Sequence, residues 1–177
     1  MTTLVLSRDS AINSTLSYQG GRIAYTIETK LEWRAPVTVI TAANGEELAR
    51  LNRRIIHDDT VDISGRNMKL SEFMPQSKAF GSSNRFLKNK AGEEFEWKIN
   101  RQLYCVATAT DICVATFYRS CWGIIGDKRP AYIDISEQVV DDQDLIIVTW
   151  MIMENIRRWR EAMLYGGGGW YLAVDPP

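Results

Sequence analysis

Four groups of side chains in this 177-residue sequence have types and spacings that could do chemistry. His57, its only histidine, stands in His57-Asp58-Asp59 with Ser64 nearby, a composition that suits a metal site or a nucleophile and its base. A metal wants three or four convergent ligands, and consecutive residues of an extended chain point to opposite faces, so a polar loop explains these residues better. Cys105, Cys113 and Cys121 have no C-x-x-C spacing and no basic neighbour to lower a thiol pKa. Cys105 and Cys113 fall in neighbouring predicted strands, which allows them to face each other, and packing is the role expected of them. Gly166 to Gly169 lack the Lys-Ser or Lys-Thr of a phosphate loop and precede a strand, which suits a hinge or linker. That leaves a binding candidate: Lys78, Arg85, Lys88 and Lys90 surround a predicted loop with Phe80 and Phe86 interleaved. Such a loop suits an anionic headgroup, with the aromatics dipping into the interface, although Glu93 and Glu94 dilute it. Arg53, Arg54, Arg157, Arg158 and Arg160 are scattered or paired with acids and carry less weight. No residue is assigned a catalytic role, and no cofactor or metal is expected.

The elements that must position these groups are mostly strands, followed by one helix. From Leu145 to Met153 every residue but Thr149 is apolar, so the helix spanning about 142 to 165 begins with a half that protein must surround. From Glu154 onward polar residues leave a stripe through Ile156, Trp159 and Met163, and this half is expected to emerge toward solvent. Acids at 141, 142 and 144 and arginines in the last turns match the helix dipole. A buried strand at Leu145 to Trp150 is the rival reading, since four of its residues are β-branched.

Before the helix, Gly20-Gly21 links Thr15–Tyr18 to Arg22–Lys30 as a hairpin, and Asn44-Gly45 links Val37–Ala42 to a strand in Glu47–Ile56. EFEWKIN (94–100) alternates cleanly. Leu103–Ala107, Ile112–Arg119 and Ala131–Ile135 follow, with a last strand at Trp170–Val174. Short strands at this spacing suggest a sandwich or barrel, and in a barrel the apolar helix fills the lumen.

Composition fits one soluble domain, residues 1–177: 45% hydrophobic, 24% charged, net charge −1. That charge offers no global field for nucleic acid. The nine-residue apolar run is too short to span a bilayer, and an odd number of cysteines without a leader points to the cytoplasm.

EFEWKIN, the pair through LYCVATATDICVATFYR, and IDISEQVVDDQDLIIVTWMIMENIRRWRE resemble an uncharacterised group of fungal (basidiomycete) proteins related to the tubby-like superfamily. The superfamily includes the tubby C-terminal domain, phospholipid scramblases and LURP-one-related proteins. The resemblance implies a mainly β fold, a closed antiparallel barrel of about twelve strands around a central hydrophobic C-terminal helix. It also implies a non-enzymatic binding module for anionic phospholipid or a protein partner, without a residue-by-residue match at the four basic positions. The scramblase membrane anchor is missing from the sequence, so lipid translocation does not carry over. A structural protein is the alternative, its edge strands or the stripe near Trp159 making a homodimer. A hydrolase would require a deep polar pocket around His57 or a cysteine.

Overall fold

The computed structural model describes residues 1–32, 35–53, 58–79, 81–121 and 129–164. His57, Phe80 and the segment from 165 onward, with Gly166 to Gly169 and the expected strand at Trp170–Val174, lie outside the described residues.

Twelve strands form one antiparallel sheet. They are β1 (Thr2–Leu6), β2 (Ser14–Tyr18), β3 (Ile23–Glu32), β4 (Ala35–Ala42), β5 (Glu47–Asn52) and β6 (Thr60–Ile63). After β7 (Arg66–Lys69) and the single turn α1 (Leu70–Phe73) come β8 (Arg85–Lys88), β9 (Glu94–Ile99), β10 (Leu103–Ala107), β11 (Ile112–Tyr118) and β12 (Tyr132–Ile135). The 3-10 segment Glu137–Asp142 then leads into the helix α2, Gln143–Leu164. The helical reading of Leu145 to Trp150 therefore holds, and the strand rival does not.

The strands lie in the order β7-β6-β5-β4-β3-β2-β1-β12-β11-β10-β9-β8, so the sheet starts and ends on strands that share no ladder. Among the described residues, the closed barrel expected from the sequence is thus not completed by strand pairing. The chain between these edges lies across the gap instead: α1 packs on β6 and β7, while Phe86 N donates to Pro75 O at 2.9 Å and Gln76 bridges Arg85. Both edge strands carry cations, Arg66 and Lys69 on one and Arg85 and Lys88 on the other, which discourages edge-to-edge pairing of two copies.

All residues from Ile146 to Asn155 are buried, on every side of the helix. The helix packs against β5 and β9, strands from opposite ends of the sheet order, so the sheet curls around it. Its C-terminal side chains show the same wrap. Taking Arg157 as zero at 100° per residue, Arg160 lies at −60° and Arg158 at +100°. Arg160 reaches Ser83 just before β8, Arg157 lies over Phe117 of β11, and Arg158 reaches Asp9 just after β1, in the order of the strands.

Seven apolar side chains of this stretch, Ile146, Ile147, Val148, Trp150, Met151, Ile152 and Met153, are each at most 1% exposed. At ~1.5 to 3 kcal/mol each their burial contributes roughly 10 to 20 kcal/mol gross. The lone hydroxyl among them is satisfied: Trp97 Nε1 donates to Thr149 Oγ1 at 2.9 Å, and that hydroxyl donates to Leu145 O at 2.8 Å.

The second half of α2 differs from the expected pattern. Glu154, Asn155 and Arg157 are buried, whereas Trp159, placed by periodicity on the apolar stripe, is 52% exposed. The reason is an ion pair: Arg157 Nη2 and Nε donate to the Glu154 carboxylate at 2.6 and 2.7 Å, and Arg158 Nε adds a third bond at 2.7 Å. Paired charges can be buried where unpaired ones cannot. Glu161 joins Arg157 to Arg119 on the outside.

The cysteines divide across the sheet. A bulge at Cys105/Val106 pairs Val106, not Cys105, with Cys113, leaving Cys105 buried and Cys113 exposed.

Candidate functional site

Because neighbouring strands are antiparallel, every connection lies at one of two ends. Tyr25 near the start of β3 donates to Asp144 at 2.6 Å, and Asn89 just after β8 donates to Asp142 at 2.7 Å. These contacts place the β2–β3, β4–β5, β6–β7, β8–β9 and β10–β11 turns around the N-terminus of α2, here the amino rim. Asp9, Ser83 and Arg119, each just beyond a strand end, surround its C-terminus, here the carboxyl rim.

The four predicted basic residues are divided between the two rims. Lys78 is exposed at the carboxyl rim; Lys88 and Lys90 are exposed at the amino rim, roughly 20 Å away along the strand between them. Arg85 and Lys88 also point to opposite faces, since β8 is a strand where a loop was expected and they are three residues apart. Arg85 turns inward, where its Nη1 donates to Met74 O at 2.5 Å and burial lowers its pKa. Lys88 stands opposite Glu94, and Glu93 accepts from Asn89 beside Lys90. An anion approaching Lys88 and Lys90 therefore meets carboxylates as well.

Around Lys78 the surroundings are more cationic. Ser77 N donates to Asn84 O at 2.9 Å, Asn84 Oδ1 accepts from Ile99 N at 3.3 Å, and Arg160 donates to Ser83 Oγ. These bonds bring Lys78, Arg101 and Arg160, distant in sequence, to flank Ser83 and Asn84. Lys78 and Arg101 are exposed, and neither pairs with a carboxylate among the described residues. The nearest acid tied to this cluster is Glu96, which accepts from Asn84 Nδ2 at 2.9 Å and pairs with Lys98 at 3.5 Å. Elsewhere on the same rim the acids are largely neutralised: Asp9 by Arg158, Asp59 by Arg53, Glu154 by Arg157 and Arg158, Glu161 by Arg119. The amino rim carries Glu46, Glu93, Asp111, Glu137, Asp141 and Asp142, of which Asp111 pairs with Lys98 and Glu137 with the N-terminal ammonium, together with the cations Arg22, Lys88 and Lys90.

The described residues contain no cluster of three or more His, Cys, Asp or Glu placed to hold a metal ion, and none of their helices is long and apolar enough to cross a membrane. Burial pushes the Cys105 thiol well above its ordinary range, which makes it a packing group and a poor nucleophile. Ser64, at φ +51°, occupies with Gly65 the turn between β6 and β7.

The family model described as "Family of unknown function (DUF6593)" matches residues 9–159. The chain belongs to the DUF6593 family. No curated protein matches this DUF6593 chain. The X-ray structure of an Arabidopsis thaliana protein is similar to it at 13% identity, covering 88% of this chain and 91% of that one with a TM-score of 0.52. At that identity the likeness concerns the fold alone.

At the amino rim, Tyr25 donates to Asp144 and accepts from Gln143 Nε2 at 2.7 Å. Burial, reinforced by the Asp144 carboxylate, holds its phenol well above the ordinary range. Above about pH 10 the unfolded chain loses this proton while the folded chain keeps it, so the contribution is complete below about pH 10 and is lost as pH rises further. Urea midpoints from ~pH 8 to ~11.5 are expected to fall more steeply for the wild type than for Tyr25→Phe in this DUF6593 protein. Parallel slopes would show that the Tyr25 proton is not coupled to folding.

Proposed function

We propose that this DUF6593 chain is a non-enzymatic binding module of tubby-like architecture, related to the fungal group it resembles, that docks on anionic lipid headgroups through its carboxyl rim. The observation that carries this reading is the convergence of Lys78, Arg101 and Arg160 beside Ser83 and Asn84, on a rim whose acids are mostly engaged. Each basic residue near an anionic surface contributes about 1 kcal/mol, so a few of them give weak, salt-sensitive attachment. This reading moves the contact away from Lys88 and Lys90, keeps Lys78 and leaves Arg85 as the support behind it. The cytoplasmic leaflet, where anionic lipids concentrate, is the matching surface.

Co-sedimentation with phosphatidylcholine vesicles, with and without phosphatidylserine or a phosphoinositide, tests it. Binding is expected only to the anionic vesicles and should weaken as salt rises. K78E/R101E should lower affinity at least about tenfold, whereas K88E/K90E should leave it within about twofold. The reverse ranking would return the contact to the β8–β9 turn, and no binding to either anionic vesicle would remove the lipid reading altogether.

A further inference from the structure

Trp159 is the only exposed aromatic side chain among the described residues, although tryptophan is ordinarily one of the more buried types. It stands outward because Glu154 and Arg157 take the interior for their ion pair. With Arg157 again at zero, Trp159 lies at about −160°, past Arg160 and on the far side of the helix from β11. In that direction the sheet continues through β8 to the other edge, β7 and β6. Because β7 starts at the amino rim it ends at the carboxyl rim, and α1, which follows it and packs on β6 and β7, lies there as well. Phe73 of α1 and Ile156 of α2 are partly buried against the core. Following the rim from Trp159 thus leads to Phe73, then to Lys78 and Arg160 beside Ser83, then to Arg101 beyond β9.

Aromatic rings and cations therefore share one arc, and its size decides what it accepts. A specific protein interface buries roughly 800 Å² on each partner, well beyond one tryptophan and the cations near it. A bilayer asks for less, because it is a plane that every side chain on the rim can reach. Tryptophan settles at the level of the headgroups, its ring toward the acyl chains and its N–H toward water, and basic side chains around it meet the phosphates. Two exposed acids belong to this part of the rim: Asp58, whose carboxylate stands 4.0 Å from the Lys69 ammonium, and Glu72 of α1. Against Glu72 stand Lys78, Arg101 and Arg160, so the balance of the arc is cationic.

Resting on the lipid reading above, we infer that Trp159 is the apolar anchor of that attachment. It enters the headgroup region of an anionic bilayer while Lys78, Arg101 and Arg160 meet the phosphates around it, and α2 points its C-terminus at the membrane. Attachment then has two parts, an ionic one that salt weakens and an apolar one that salt leaves in place.

Tryptophan fluorescence of the full chain on phosphatidylcholine vesicles, with and without phosphatidylserine or a phosphoinositide, tests this. Subtracting the emission of Trp159→Phe from that of the wild type isolates Trp159 from the other tryptophans. The difference spectrum is expected to shift to the blue on the anionic vesicles and to be quenched there by acyl chains brominated near the headgroup end. On phosphatidylcholine alone it should stay as in buffer. Trp159→Ser should weaken binding to the anionic vesicles at least about fivefold with an unchanged urea midpoint. If the wild type co-sediments with anionic vesicles while the difference spectrum stays as in buffer, or if Trp159→Ser binds as tightly as the wild type, the anchor is overturned and the headgroup contact stands. If the wild type co-sediments with neither anionic vesicle, the lipid reading itself fails and the anchor falls with it.

Discussion

Aspartate at Ile146, Ile147 or Val148 is expected to unfold the protein. These positions point in directions 100° apart around α2 and are all at most 1% exposed. A carboxylate at any of them is buried without a partner, at a cost of several kcal/mol against a typical total stability of about 5 to 15 kcal/mol. The fourth direction belongs to Thr149, which meets Trp97. Trp159→Asp, at an exposed position of the same helix, should shift stability by no more than about 0.5 kcal/mol. Soluble yield and urea midpoints across the four variants give a direct reading. Tolerance at any of the three buried positions would mean that one face of the rod is open to water.

The second large effect is at Glu154. Its carboxylate is fully buried and receives three hydrogen bonds from Arg157 and Arg158. Glu154→Ala removes that partner and leaves Arg157, itself 5% exposed, with only the half-exposed Glu161. The expected loss is about 3 to 5 kcal/mol, or a melting point lower by roughly 10 °C or more in a domain of this size. Replacing both members, as Glu154→Leu with Arg157→Met, should restore most of it, since an apolar pair of similar volume leaves no orphaned charge. If the single variant melts within about 2 °C of wild type, water reaches the Arg157 guanidinium and the site is wetter than its burial indicates.

Much of this fold was legible because its strongest signals are local. Nine residues with a single hydroxyl have no polar face to offer water, so the burial of Leu145 to Met153 follows from composition alone. Asn44-Gly45 and the alternation of EFEWKIN were equally direct, and the hairpins appear where these residues put them, with Gly45 at φ +86°. Elsewhere the local signal was weak or had two meanings. β6, β7 and β8 are four residues each, too short for alternation to stand out, and the Ser64-Gly65 turn between two of them invited a chemical reading of the serine. A run such as Glu154, Arg157, Arg158 looks the same to periodicity whether it is solvated or folded inward on its own ion pairs, and the exposure of Trp159 was inverted for that reason.

The basic cluster was only partly visible. Lys78 was within reach of a local reading, but Arg101 and Arg160 come to it through hydrogen bonds at Asn84 and Ser83 that no spacing encodes. The opposite error has the same origin: Lys78, Arg85, Lys88 and Lys90 are neighbours in sequence, and an extended strand carries them apart. The division of these residues between the rims is likewise a property of antiparallel connection, which sends alternate turns to opposite ends.

The order of elements bears on how the polypeptide acquires its structure during synthesis. The first strand pairs with the twelfth, and the rod that both enclose is translated after all of them. Until it emerges from the ribosome, the inward-facing leucines, isoleucines and aromatics of the nascent sheet have nothing to close upon, and their pairings span long stretches of chain. Acquisition of the native state is therefore expected to be slow and late, as for other topologies dominated by distant contacts. A nascent chain arrested before Gln143 should be bound by chaperones or degraded, with the twelve described strands already made.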